Sequence, residues 1–504
     1  MKKTLPLKRI VLYNEGSLTG KLYKGGENPL VFSNLFFIFG FLPLNLILYF
    51  ISKNKTWRNC ILLMFSLFFY SWGEPVWCLM LIFTAFLDYL WARCIENCRL
   101  KGKTGLMKAA LLASLTFDLG MLGVFKYSGF LVENLNLVTG LSLPVPQFVL
   151  PIGISFYTFQ TISYVVDVYR GNVPAQKKYY KYLMYLSSYH QLVAGPIVRY
   201  SDVAAEIEDR HTTPKDFSEG MTRFCVGLCK KTLVANAAGQ MVAQYMDAPL
   251  GQLSVAGAWF GALMYSLQIY YDFSAYSDMA IGLGRMFGFH YHMNFDYPYI
   301  SKSVTQFWRK WHISLSSFFR DYVYIPLGGN QRHQMLNIAV VWLLTGLWHG
   351  ASWNFILWGA FYGVLLVIEK LGLLKILEKI PSLFSHAYLL FITVIGWTIF
   401  YTTDLSRLWG YLQVMFGVSG NALTDPQLYL TVANHIFWIV LAVIFCMPVA
   451  KKIHEKIITF RETAGDAVCG GLSILTALFQ IVILFICTSQ LVGDSYNPFL
   501  YFRF

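Results

Sequence analysis

Two histidines in apolar surroundings make this sequence's strongest claim to chemistry. An imidazole exchanges protons near neutrality, and one held within lipid-spanning sequence must be partnered or used. His349 stands in Thr345-Gly346-Leu347-Trp348-His349-Gly350-Ala351-Ser352-Trp353-Asn354, between two apolar runs, and Gly346 and Gly350 leave room for other groups to come close. His312 stands in Thr305-Gln306-Phe307-Trp308-Arg309-Lys310-Trp311-His312-Ile313-Ser314-Leu315-Ser316. Read as one helix, this run places Trp308, Trp311, His312, Leu315, Phe319 and Tyr322 on one face and Arg309, Ser316 and Arg320 on the opposite one. The chemistry within reach is general acid–base catalysis by one or both rings. The bland alternatives are a His349 bonded only to nearby backbone, and an interfacial amphipathic helix in which His312 is incidental.

Other polar groups compete less well. His435 lies near the outer end of an apolar run, His290 and His292 lie where a span should meet the cytoplasm, and His211, His333 and His454 sit in basic loops. Asp118, Asp272 and Asp278 are acids in or near spans, and Asp272, between Tyr271 and Phe273, is expected to cap a helix start or bond to a tyrosine. Among nine cysteines, Cys94/Cys98 and Cys225/Cys229 have helical i,i+4 spacing but no neighbouring histidine cluster, so they read as reduced packing residues and no metal is expected. The sequence has no G-x-S-x-G elbow, H-E-x-x-H, P-loop or strand-borne G-x-G-x-x-G, so serine hydrolase, zinc protease and ATPase readings lack support.

The elements that must position these groups are membrane helices. The chain is 56% hydrophobic and 13% charged, about half the charged share of a soluble protein, which leaves too little polar surface to face water. Crossings are expected at 33–51, 60–72, 76–92, 106–125 and 148–168, then at 256–271, 273–289, 336–348, 351–368, 386–401, 431–450 and 470–491. Several fall short of the roughly 20 residues of a perpendicular span and must be tilted or re-entrant. Segments 182–196 and 222–246 are too apolar for ordinary loops and read as re-entrant or interfacial helices. Beyond the first thirty residues, 31 of 34 lysines and arginines fall in 52–59, 93–108, 170–231, 285–335, 370–379 and 451–461; Lys126, Arg407 and Arg503 are the exceptions. By the positive-inside rule those segments face the cytoplasm, and twelve crossings then put both termini outside a cell membrane. The net charge of +13 is thus explained without nucleic acid.

Residues 1–30 are polar and basic and lack the apolar core of a signal peptide. They are expected to be a disordered basic tail or a translated leader, since Lys24-Gly25-Gly26 can be encoded by a ribosome-binding sequence and Leu30 or Val31 by an alternative start codon. Residues 31–504 form a single membrane domain without repeats or long linkers.

Several segments together resemble the membrane-bound O-acyltransferase family, particularly its bacterial alginate O-acetylation branch. They are Trp311-His312-Ile313-Ser314-Leu315-Ser316, Asp321-Tyr322-Val323-Tyr324-Ile325-Pro326-Leu327-Gly328-Gly329-Asn330 and Trp348-His349-Gly350, supported by 151–160, 192–197, 271–278, the start 31–34 and the ending 497–504. The resemblance implies an all-α polytopic fold of about 11–12 transmembrane helices, with re-entrant or interfacial helices, around a central funnel. It also implies two functional histidines, His349 and His312. Tyr189-His190 departs from the branch, which usually has Phe-Pro there. The implied reaction passes an acyl group from a cytosolic thioester, acetyl-CoA or a carrier-protein thioester, to a hydroxyl of an exported polysaccharide or cell-wall glycan, with an outer-side acyltransferase as partner and no tightly bound cofactor. His349 is expected to take the hydroxyl proton and His312 to orient a substrate or stabilise the oxyanion, with Trp308, Trp311, Trp348 and Asn354 lining the channel. D-alanylation of teichoic acid is the second reading within this fold. A polysaccharide or lipid exporter is the reading from another class, opposed by the absence of two similar halves.

Overall fold

The computed structural model describes residues 30–493, except 194 and 464, together with 499–500. The expected tail or leader, save Leu30, and Arg503 lie outside the described residues. Among the described residues every regular element is helical. Helices suit this composition because they satisfy their own backbone groups where lipid offers none.

The helices that bear on function are α1 (Pro75–Leu100), α2 (Thr104–Thr139), α3 (Ile154–Arg170), α4 (Pro214–Cys229), α5 (Asn236–Met246), α6 (Val255–Met286), α7 (Val304–Trp308), α8 (Ile313–Phe319), α9 (Gln334–His349), α10 (Trp353–Ile368), α11 (Ser382–Tyr401), α12 (Pro426–Phe445) and α13 (Asp466–Gly493). Local chemistry sets their ends. Ser254 Oγ accepts from Gly257 N at 3.0 Å at the start of α6, and Asp425 accepts from Leu428 N at 2.7 Å at the start of α12. Five of them, α1, α2, α11, α12 and α13, are long and apolar enough to cross a membrane. Ile474, Leu475, Ile481 and Phe485 of α13 stand exposed, as lipid-facing side chains do. The chain is a polytopic membrane protein.

The structure revises two expected elements and details a third. The separate crossings at 256–271 and 273–289 are one helix, α6, of 32 residues. Asp272 lies in its interior rather than at a cap, and its charge is met by Lys231 at 2.6 Å, so the acid that looked like a boundary interrupts nothing. Segment 222–246, expected as re-entrant or interfacial helices, is a near-continuous helical run: α4, a π-helical turn at Lys230–Ala235 and α5 follow one another and pack antiparallel on α6. Finally, the expected crossing at 148–168 becomes helical only at Ile154.

Glycines let the α4–α6 backbones touch. A Cβ on Gly227 would lie 2.7 Å from Ala275 O and 2.9 Å from Met279 N, backbone atoms that cannot swing aside. Gly227→Val is therefore expected to destabilise the protein by about 1–3 kcal/mol, the usual cost of overpacking. Gly123→Val, where no atom lies within 4 Å, should melt close to wild type. Thermal unfolding of the detergent-purified variants checks the contrast; equal melting would contradict the packing.

Candidate active site

His349 is the last residue of α9, and His312 lies between α7 and α8. Trp348 joins them: its ring centroid is 5.8 Å from that of His312 and 4.9 Å from that of His349. Both imidazoles are buried. The sequence's two strongest candidates, 37 residues apart along the chain, thus share one indole.

The expected continuous helix through His312 is not formed. α7 stops at Trp308, and His312 adopts φ 45° and ψ 55°, in the left-handed region, as the residue from which α8 begins. Such a conformation costs a non-glycine residue about 1–3 kcal/mol and persists only where its surroundings impose it. Here residues 294–296 impose it: Ile313 N donates to Asn294 O at 3.0 Å and Asp296 N donates to Lys310 O at 3.0 Å. The shared face drawn through Trp308, Trp311 and His312 therefore does not exist as a helical face, although Arg309 and Arg320 are exposed as expected.

Asn294 also fixes the His312 ring. Its Oδ1 accepts from Ser314 N at 3.2 Å and Ser314 Oγ at 2.9 Å, and it lies 3.1 Å from His312 Nδ1. A backbone N–H can only donate, so the atom facing it is the amide oxygen, and His312 Nδ1 must carry the proton. Nε2 is then left with a lone pair, buried and with no protein partner. His349 Nδ1 is likewise buried without a protein partner. Two unsatisfied imidazole nitrogens a few ångströms from one tryptophan ring are costly in a packed interior and suit a site that expects a ligand.

An opening lies beside His349, walled by Trp311, Trp358, Trp397 and Phe400. Phe273 also lines it and meets the His312 ring edge-on at 4.7 Å. Of the residues expected along a channel, Trp311 lines this opening. Trp348 packs between the histidines; Trp308 packs among Trp342, Trp358 and Tyr362; and buried Asn354 donates to Ile399 O and Phe400 O at 3.3 and 3.0 Å. The competing histidines have other duties: His290 Nδ1 lies 2.8 Å from Glu206 and His435 Nδ1 lies 2.9 Å from Thr431 O on its own helix. At the departure from the branch pattern, His190 Nδ1 lies 2.7 Å from Tyr291 Oη.

Sequence reasoning set Lys126 aside as a stray outer charge, and the structure gives it a task. Its Nζ donates to Trp348 O and, at 3.3 Å, to Ser155 Oγ, while Tyr127 Oη donates to Leu347 O at 2.6 Å. The last carbonyls of a helix lack internal partners, and a cation there also meets the negative end of the dipole. α2 thus holds the end of α9 that presents His349. Lys126→Met is expected to lower turnover about tenfold, the equivalent of about 1.4 kcal/mol of lost positioning, with donor KM little changed. Unchanged turnover in the purified variant would remove this role.

Comparison with known proteins gives three findings of use. The sequence model of the MBOAT, membrane-bound O-acyltransferase, family matches residues 33–413. The probable alginate O-acetylase AlgI of Azotobacter vinelandii is 35% identical, with 94% of this chain and 100% of that protein covered, and its Pseudomonas putida counterpart is 36% identical over the same shares. The peptidoglycan O-acetyltransferase of Helicobacter pylori is 31% identical, over 78% of this chain and 81% of that protein.

Proposed function

This chain belongs to the membrane-bound O-acyltransferase family, and from that premise we propose that it O-acetylates an exported polysaccharide or cell-wall glycan, using a cytosolic acetyl thioester and the His312–His349 pair. The family makes it an O-acyltransferase. What supports the finer reading is the end-to-end similarity to an O-acetylase together with two buried imidazoles, each with an unpartnered nitrogen, around a single indole.

A sugar hydroxyl is a weak nucleophile at neutral pH, and a positioned base typically contributes 10²–10⁴-fold. In the proposed reaction the hydroxyl oxygen bonds to the thioester carbonyl carbon as His349 takes its proton. The carbon–sulfur bond then breaks, and the proton passes to the departing thiolate. His312 presents a lone pair at Nε2, so it accepts a hydrogen bond from a neighbouring hydroxyl of the acceptor sugar and orients the reacting one, whose single hydrogen points at His349; a ring whose one N–H is held by Asn294 has no hydrogen left for the oxyanion. The protein resides in the cell membrane, the donor enters from the cytoplasm, and an outer-side acyltransferase works with it as partner. Mass analysis of the glycan from cells with and without the gene tests this. The expected adduct is acetyl; an alanyl adduct, or none, would contradict it.

A further inference from the structure

One wall of the opening beside His349 comes from the far end of the chain. Phe499 and Leu500 line it, as do Tyr276 and Trp358. Leu500 N donates to Asp272 Oδ2 at 2.7 Å. The other oxygen of that carboxylate pairs with Lys231 Nζ at 2.6 Å, and the same ammonium lies 4.7 Å from the centroid of the Phe499 ring. The Phe499 ring meets Tyr276 edge-on at 4.5 Å.

The Lys231 and Asp272 side chains are only 3% and 4% exposed. If their task were only to join the π-turn at Lys230–Ala235 to α6, an apolar pair would do it without desolvating two charges. An apolar pair offers neither an acceptor for a backbone N–H nor a cation for an aromatic face. Both of those groups belong to the C-terminal segment, so the charges are explained by what they hold.

We propose that Lys231 and Asp272 are positioning residues that clamp the C-terminal segment into the site, and that Phe499, so held, limits the size of the acyl group accepted beside His349. The second half rests on the acyl-transfer reading above; the first half does not. Hydrogen exchange of the full-length purified protein, read at the Leu500 amide, tests the clamp. Wild type should protect this amide, and Asp272→Leu or Lys231→Gln should raise its exchange rate at least about tenfold while the helices stay protected. Unchanged protection in both variants overturns the clamp. If Asp272→Leu does not fold, Lys231→Gln decides alone, because it leaves the carboxylate in place.

Acyl selectivity tests the wall. Phe499→Ala should raise the ratio of butyryl to acetyl transfer at least about tenfold, an effect that general loosening of the fold would not produce. An unchanged ratio overturns the size limit. Wild-type protein that transfers neither acyl group overturns the acyl-transfer reading instead, and the exchange result still judges the clamp.

Discussion

His349→Ala is expected to cut acyl transfer by about 10²–10⁴-fold, the usual contribution of a general base, in a protein that still folds and inserts. The ring stands at the end of α9, its Nδ1 lacks a protein partner, and it borders the opening. Its contacts with Trp358 and Phe400, each at 5.0 Å between centroids, are aromatic packing that alanine would forfeit. A melting measurement must therefore accompany the assay. His349→Gln keeps much of the volume and hydrogen-bonding capacity but accepts no proton, and it should be nearly as inactive. A His349→Gln protein with wild-type turnover would assign the base elsewhere.

The second large effect concerns His312. His312→Ala should reduce turnover by a factor comparable to that of His349→Ala, and the double variant should be little worse than the poorer single one, because groups that act as a unit lose their function together. Asn294→Leu separates orientation from chemistry. It removes the side-chain acceptor that fixes the Nδ1 proton, while the backbone bond from Ile313 N to residue 294 and both imidazoles stay in place. The loss expected is about ten- to a hundredfold in kcat with a smaller change in acceptor KM. Strict additivity of the two histidine variants, measured by single-turnover transfer, would mean that the rings serve separate steps.

Much of the scaffold was legible from residue types alone. Apolar runs marked the helices around 386–401, 431–450 and 470–491, and the helices Ser382–Tyr401, Pro426–Phe445 and Asp466–Gly493 cover nearly all of them. The burial of His349 also followed from its neighbours. Features set by distant partners were not legible. Nothing local says that Asn294 will bend the chain at His312, that Lys231 will neutralise Asp272, or that Lys126 will reach the end of α9. In each case a short-range pattern gave one answer and a tertiary contact overrode it. The aromatic wall shows the same limit: in a chain that is 17% aromatic, spacing cannot separate Trp397 and Phe400, which line the opening, from Trp308, which packs behind it.

In the proposed reaction a pair of imidazoles inside a membrane-embedded protein moves an acyl group from a thioester on one side to a hydroxyl on the other. Purified protein sealed in liposomes, with labelled acetyl thioester confined to the cytoplasmic face and acceptor glycan with its partner acyltransferase on the opposite face, tests it most directly. With the wild-type chain, label should become bound to the glycan as ester, and His349→Gln and His312→Ala should give none above protein-free liposomes. Ester-bound label formed equally well by either variant would contradict it.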